Sequence, residues 1–261
     1  MSNEKMGWLS AFHSPAQKRA LEFLFGEYDS NGIYVDVNSP VQTVAQALSL
    51  VTKLRKNIYL PAGTYIEPKL IWPDVGGVRL ISTEQGSGAL IHCNDSTGPA
   101  LTINPTWAAG SGTFEAFLEN VFVEHTAQVG IEIDNANNPS SKTLIHLIGV
   151  GTNQVSTGDS IHSTHTNASQ PIRIYATRCD EIEGLTNLVT ANVDDRYRFM
   201  QCVLTGGLTA TGAIASELTF LGTQMKTSGL TFDATMVETN AMCWYRTDAG
   251  VYSAWTDAYS A

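Results

Sequence analysis

The stretch FEAFLENVFVEHTAQVGIEIDNA, residues 114–136, decides the fold. It opens with an alternating β-prone segment, passes through polar residues and ends in a second short strand. Four later stretches repeat that plan: TLIHLIGVGTNQVSTGDSIHSTH (143–165), PIRIYATRCDEIEGLTNLVTAN (171–192), RYRFMQCVLTGGLTATGA (196–213) and SELTFLGTQMKTSGLTFDA (216–234). Registering their openings at Phe117, Leu144, Ile172, Tyr197 and Leu218 gives steps of 27, 28, 25 and 21 residues. A repeat of this size without a helical period signals a solenoid, here with one coil of a parallel β-helix as its unit.

Working outward, Val78–Thr83, Ala89–Cys93 and Leu101–Ile103 read as strands of earlier coils, set off from the regular ones by a Gly- and Pro-containing insertion at Asn104–Thr113. About seven coils result, a stack roughly 35 Å long at about 4.8 Å per strand. Inward positions should form apolar columns, such as Leu118/Ile145/Ile174 with Phe199 and Phe220 nearby. Each strand pairs with the coils above and below, so only the two ends present raw sheet edges that need covering.

Upstream, Ser39-Pro40-Val41-Gln42 reads as a helix start, and Val41, Val44, Ala45, Leu48 and Val51 share one face of a helix reaching about Lys53, placed to cap the first coil. Another start at Ser14-Pro15-Ala16-Gln17 opens a helix to about Tyr28. The expected organisation is therefore a helical arm over 1–35, a parallel β-helix over 36–241 and an aromatic tail over 242–261, the tail carrying two Trp and three Tyr in its last 19 residues.

The capping helix leads into Asn57-Ile58-Tyr59-Leu60-Pro61-Ala62-Gly63-Thr64-Tyr65-Ile66, strand, turn and strand. This segment, over residues 41–66, resembles the start of the pectin-lyase-like right-handed parallel β-helix proteins, in which a short helix covers the first coil and an I-x-L-P-x-G-x-Y segment makes the first two strands. Within that group the chain looks most like virion proteins of tailed bacteriophages, of the decoration or tailspike type. The resemblance implies an all-β solenoid that associates side by side as a homotrimer. With about 35 residues ahead of the capping helix and no large trimerisation domain after the coils, the chain departs from enzymatic tailspikes.

Composition narrows the partners. Charged residues make up 15% of the 261 and the net charge is −10. Duplex or single-strand recognition depends on Lys and Arg neutralising phosphates, and Lys53-Arg55-Lys56 and Arg196-Arg198 read as solvated turns, so nucleic acid is not expected. No apolar stretch suggests a membrane span and no signal peptide is legible, which points to synthesis in a host cytoplasm. Cys93, Cys179, Cys202 and Cys243 have no zinc spacing and read as buried thiols, with Cys179 and Cys202 about one coil apart.

Glycoside hydrolysis needs two carboxyl groups about 5–9.5 Å apart. The candidates are Asp159, Asp180, Glu181 (with Glu183), Asp194 and Asp195, most of them at expected turns, where Asp is favoured for its backbone geometry alone. Arg173, Arg178, Arg196 and Arg198 read as salt-bridged coil surface rather than a lyase cluster. His146, His162 and His165 read as surface or stacked polar residues, since His162 and His165 would point to opposite faces of a strand. No metal or cofactor is expected. The terminal aromatics carry the sharper signal: Trp8, Phe12, Phe23 and Phe25 ahead of the coils and Trp244, Tyr245, Tyr252, Trp255 and Tyr259 after them are the side chains that dominate interfaces. The expectation is a non-enzymatic structural protein of a tailed-phage virion, a trimeric capsid decoration (cement) protein attached to capsid or tail components through its ends. The alternative is a tailspike-type polysaccharide depolymerase or a module that recognises a surface glycan.

Overall fold

Alternation of apolar and polar residues becomes alternation of buried and half-exposed side chains in the computed structural model, which describes residues 31–36, 40–83, 88–95, 97–106, 112–126, 129–138, 141–154, 158–212, 216–226, 230–232, 237–246 and 252–254. Strand β1 (Ile33–Tyr34) and helix α1 (Val44–Ser49) come first. There follow β2 (Asn57–Leu60), β3 (Gly63–Glu67) and β4 (Leu70–Ile71), then β5 (Val78–Ser82), β6 (Ala89–Cys93) and β7 (Leu101–Ile103). The next circuits are β8 (Phe114–Glu119), β9 (Val121–His125) and β10 (Val129–Asp134), then β11 (Thr143–Ile148), β12 (Gly151–Gln154) and β13 (Asp159–Thr164). After β14 (Ile172–Thr177) and β15 (Leu185–Val189) come β16 (Arg196–Met200), β17 (Val203–Leu204) and β18 (Leu208–Thr211). The described chain ends with β19 (Glu217–Leu221), β20 (Gln224–Lys226), β21 (Leu230–Phe232), β22 (Val237–Ala241), β23 (Trp244–Arg246) and β24 (Tyr252–Ala254).

These strands form three stacked all-parallel sheets, ordered β1-β2-β5-β8-β11-β14-β16-β19-β22, β4-β7-β10-β13-β15-β18-β21 and β3-β6-β9-β12. A fourth, β17-β20-β23-β24, carries the third sheet's path onward and ends in the antiparallel pair β23–β24. The chain visits the sheets in cyclic order, so the protein is nearly all-β and consistent with a parallel β-helix. Parallel sheets normally sit between helical layers; here each sheet has its inner face on a shared core and its outer face in solvent.

The core fills from in-register columns. Ala116, Ile145, Ile174, Tyr197 and Leu218 stack in one, and Leu118, Leu147, Ala176, Phe199 and Phe220 in the next. The rings of Phe199 and Phe220 lie 5.6 Å apart and nearly parallel. Leu118 thus belongs to a different column from Ile145 and Ile174, two residues out of the expected register. The true steps, from Ala116 through Ile145, Ile174, Tyr197 and Leu218, are 29, 29, 23 and 21 residues.

Helix α1 begins later and ends earlier than expected. Thr43, not Ser39, is its N-cap, and a capping box joins Thr43 to Gln46. A second cap comes from the coils: the buried Glu67 carboxylate accepts the N–H groups of Val44 at 2.5 Å and Ala45 at 3.1 Å. Burial outweighs those two bonds and raises the Glu67 carboxyl above its ordinary pKa. Val44, Ala47 and Leu48 face the core. The expected arm helix, with Trp8, Phe12, Phe23 and Phe25, lies outside the described residues, as do Trp255 and Tyr259.

Candidate functional site

The corner between the nine-stranded sheet and the next strand is made by a single residue in the left-handed conformation, and it recurs in every circuit from the third onward. Asn120, Gly149, Arg178, Gln201, Gly222 and Met242 have φ values of 54°, 61°, 53°, 55°, 60° and 52°. The first four turns are tied to the coil above by their backbone: the N–H of Asn120 donates to Ile148 O at 2.8 Å, Gly149 to Thr177 O at 2.9 Å, Arg178 to Met200 O at 2.9 Å and Gln201 to Leu221 O at 2.7 Å. Only backbone is needed to make the turn, so the side chains it displays are free to vary.

At one height that freedom opens a cleft of about 170 Å³. The third coil contributes Asn120, Val121 and Phe122, the fourth only Gly149 and Gly151, and the fifth Arg178, Asp180 and Glu181. A larger residue on the fourth coil would have to displace its neighbours here. A Cβ at position 151 would lie 2.3 Å from the Phe122 ring, and one at 149 would lie 2.5 Å from Asn120 Oδ1. On the fifth coil a bulge aims the acids. Isolated bridges join Thr152 to Ile182 and Ile182 to Leu204, so two residues, Asp180 and Glu181, stand between Cys179 and Ile182 where the neighbouring coils have only Gly151 or Val203. Such an extra residue bends the strand and redirects side chains. Arg178, Asp180 and Glu181 are all exposed, and none makes an ion pair with another described residue.

The other carboxylate candidates are dispersed. Asp159 begins β13 on the outer face of the seven-stranded sheet, 3.5 Å from His162 Nδ1 and accepting from Asn187 Nδ2 at 3.2 Å. Asp194 is exposed and pairs with Arg196 at 3.7 Å. Asp195, expected as a solvated turn residue, is fully buried. One of its oxygens lies 2.9 Å from His165 Nε2 and accepts the Ile172 N–H at 2.8 Å; the other accepts those of Ala191 and Asn192 at 3.0 and 2.9 Å. The alternation of β13 continues past its end, so His165 points to the interior and His162 to the outer face, the opposite faces that their spacing predicted. Tyr197 is buried beside this pair; its hydroxyl donates to Val189 O at 2.8 Å, and burial followed by the Asp195 charge pushes its pKa far up. Asp195 is a structural knot joining three coils, closed to any substrate.

The outer face of the nine-stranded sheet holds the residues that sequence reasoning left unconnected. One in-register row runs Arg79, Phe117, His146, Tyr175, Arg198. The Phe117 and His146 rings stack at 4.3 Å and 2°, Tyr175 meets His146 edge-on at 5.8 Å, and the two guanidiniums cap the row at 5.4 and 5.3 Å from the rings of Phe117 and Tyr175. Desolvation holds the His146 imidazole below its ordinary value. A parallel row is Ile81, Glu119, Ile148, Thr177, Met200, Leu221. Three arginines of this face meet a carboxylate: Arg79 meets Glu119 at 2.5 Å, and Arg196 and Arg198 share Glu217 at 2.9 and 3.0 Å. Arg196 and Arg198 are therefore strand residues in an ion-pair network, not solvated turns. Arg173 donates from Nε to Asp194 O. The tail residues Trp244 and Tyr245 fall in β23 and Tyr252 in β24, where Arg246 pairs with Tyr252.

Among the described residues no group of three or more His, Cys, Asp or Glu is placed to hold a metal ion, and no helix is long and apolar enough to cross a membrane. Comparison with known proteins adds no relative: no family model, no curated protein and no solved structure matches the chain.

Proposed function

We propose that the protein is a non-enzymatic structural component of a tailed-phage virion, a right-handed parallel β-helix of about seven coils with a helical arm over residues 1–35. In this reading it works as a trimeric capsid decoration protein that reaches capsid or tail components through its terminal segments. The virion assignment rests on the resemblance over residues 41–66. The observation that carries the structural role is the outer face of the nine-stranded sheet. Its rows of stacked rings and aliphatic side chains, with Arg79, Arg196 and Arg198 paired to carboxylates of the same face, suit lateral packing against an identical neighbour. Nine strands about 4.8 Å apart, all but β1 and β2 five to six residues long, offer a strip of at most roughly 40 by 17 Å, of the order of the roughly 800 Å² per partner of a stable interface. Light scattering of the full chain tests this directly. A trimer that Tyr175→Glu with Met200→Glu converts to monomers supports the reading, and a monomeric parent chain sinks it. Mixing with bare capsids, with and without residues 1–30, then tests attachment through the arm.

A second reading has one observation in its favour, the cleft in which Arg178, Asp180 and Glu181 carry charges with no ion-pair partner among the described residues. It would make the chain a polysaccharide depolymerase or glycan-recognising protein of a host surface. Loss of glycan cleavage in Asp180→Asn and Glu181→Gln, with the trimer intact, would support it; an absence of cleavage or glycan binding by the parent chain would remove it.

A further inference from the structure

The four cysteines are buried and none is in a disulfide. Two of them, Cys179 and Cys202, each follow a member of the left-handed corner, Arg178 and Gln201, and so occupy the same position in neighbouring coils. The whole column reads Val121, Val150, Cys179, Cys202, Thr223, Cys243. Backbone bonds hold its register: the Val203 N–H donates to Cys179 O at 2.9 Å and the Gln224 N–H to Cys202 O at 2.8 Å. Each thiol is also held by its own coil or the one before: Cys179 Sγ donates to Leu147 O at 3.4 Å and Cys202 Sγ to Met200 O at 3.3 Å. Cys243 is separated from Cys202 by Thr223, and Cys93 closes β6 elsewhere in the core, so this is the one adjacent pair among the described residues.

We propose that Cys179 and Cys202 form a disulfide site, closed after folding by a hydroperoxide oxidant, that staples the fifth coil to the sixth. Adjacent parallel strands lie about 4.8 Å apart, inside the window of about 4.4–6.8 Å between Cα atoms that a disulfide accepts. The two thiols hold equivalent places in one column, so either sulfur serves as the first nucleophile, and Cys202 stands for both. Its thiolate attacks hydrogen peroxide: an S–O bond forms, the O–O bond breaks, and the released hydroxide takes up the thiol proton to leave water and a sulfenic acid. Cys179 sulfur then attacks the sulfenic sulfur. The S–S bond forms, the S–O bond breaks, and the departing hydroxide leaves as water with the Cys179 proton. Two thiols and one peroxide give one disulfide and two waters.

Both sulfurs are shielded, with residue exposures of 0% and 1%, so the reaction proceeds through local opening. The Asp180-Glu181 bulge, where one bridging residue, Ile182, replaces a regular strand, lies next to Cys179, and local opening is proposed to start there. The inference stands whether or not the virion reading does.

The test is oxidation of the folded full chain with excess hydrogen peroxide a few degrees below its melting temperature. The expected result is loss of two hydrogen atoms by intact-mass measurement, a single crosslinked peptide pair joining Cys179 to Cys202, and a Tm raised by roughly 5–10 °C that dithiothreitol reverses. Cys202→Ser should abolish the mass loss and the Tm gain while folding normally by circular dichroism. The column already accepts a hydroxyl, because Thr223 donates from Oγ1 to Phe199 O at 2.9 Å. Four free thiols in the treated native chain, beside full oxidation of a urea-unfolded control, would overturn the proposal. So would a crosslink between any other pair, sulfinic acid at these positions, or a disulfide that leaves Tm unchanged.

Discussion

Two corners of the coil solve the same problem, turning a strand into the next sheet, by opposite means. At the corner that follows the nine-stranded sheet, one left-handed residue per coil turns the chain from the third coil onward, and in four of these coils its N–H is satisfied by the coil above. The side chains there are Asn, Gly, Arg, Gln, Gly and Met, with nothing chemical in common. At the corner that leads back into the nine-stranded sheet, buried side chains do the work. Asn135 donates to Asn167 O and Gln170 O, Asn138 to Ser141 O, and Asp195 takes His165 and three backbone N–H groups. A corner built from repeated backbone can vary its display, which is why the cleft appears there. A corner built from buried polar side chains cannot vary without orphaning a group in low dielectric.

The sharpest way to break this comparison is Asp195→Ala. It leaves His165 and the N–H groups of Ile172, Ala191 and Asn192 without their acceptor inside the protein, so the expected cost is about 3–5 kcal/mol, a large part of a typical total stability of about 5–15 kcal/mol. Asp195→Asn keeps one acceptor oxygen and should cost less. Urea unfolding followed by circular dichroism measures both. A loss below about 1 kcal/mol for the alanine variant would mean that the stacked backbone holds this corner too, and the contrast would collapse.

At the other corner, adding a side chain where the conformation resists one should cost less. Gly149→Ala places a Cβ on a residue at φ 61° and 2.5 Å from Asn120 Oδ1. The amide is the end of a flexible side chain and can swing away, so the penalty is mainly that of a left-handed alanine, about 1–2 kcal/mol. The same unfolding curves report it, and a cost matching that of Asp195→Ala would show that the Asn120 amide is as fixed as the buried aspartate.

The same division explains what could be read beforehand. Strand existence was legible at 114–119, 143–148 and 172–177 because alternation is a local property that survives as alternating burial. Coil register was not. Phe117 and Leu144 are apolar residues on the outer face, and a period-two segment offers equivalent same-face positions two residues apart; only the inter-coil ladder chooses among them. The turn propensity of Asp195 was visible, but its burial depends on His165, thirty residues away in the chain. The Ser39-Pro40 start expected for helix α1 gave way to Thr43, whose box with Gln46 is joined by the Glu67 carboxylate from a strand more than twenty residues on. The cleft needed coils aligned to within one residue before Gly149 and Gly151 could be seen facing the inserted acid.

The smallest effect is the most specific to the backbone corner. Gln201 sits at φ 55°, where an L residue with a Cβ is strained and glycine is not. Its N–H bond to Leu221 O belongs to the backbone and survives any substitution except proline. Gln201→Gly therefore trades relief of left-handed strain, about 1–2 kcal/mol, against the greater chain entropy that glycine brings to the unfolded state, about 0.5–1 kcal/mol. The expected outcome is a gain of up to about 1 kcal/mol, the reverse of what glycine does inside a strand. Gln201→Ala, which keeps the Cβ and removes only the amide, should leave stability within about 0.5 kcal/mol of the parent. If the alanine variant instead lost stability and the glycine variant lost more, the Gln201 side chain would be holding the corner, and this turn would belong with the one at Asp195.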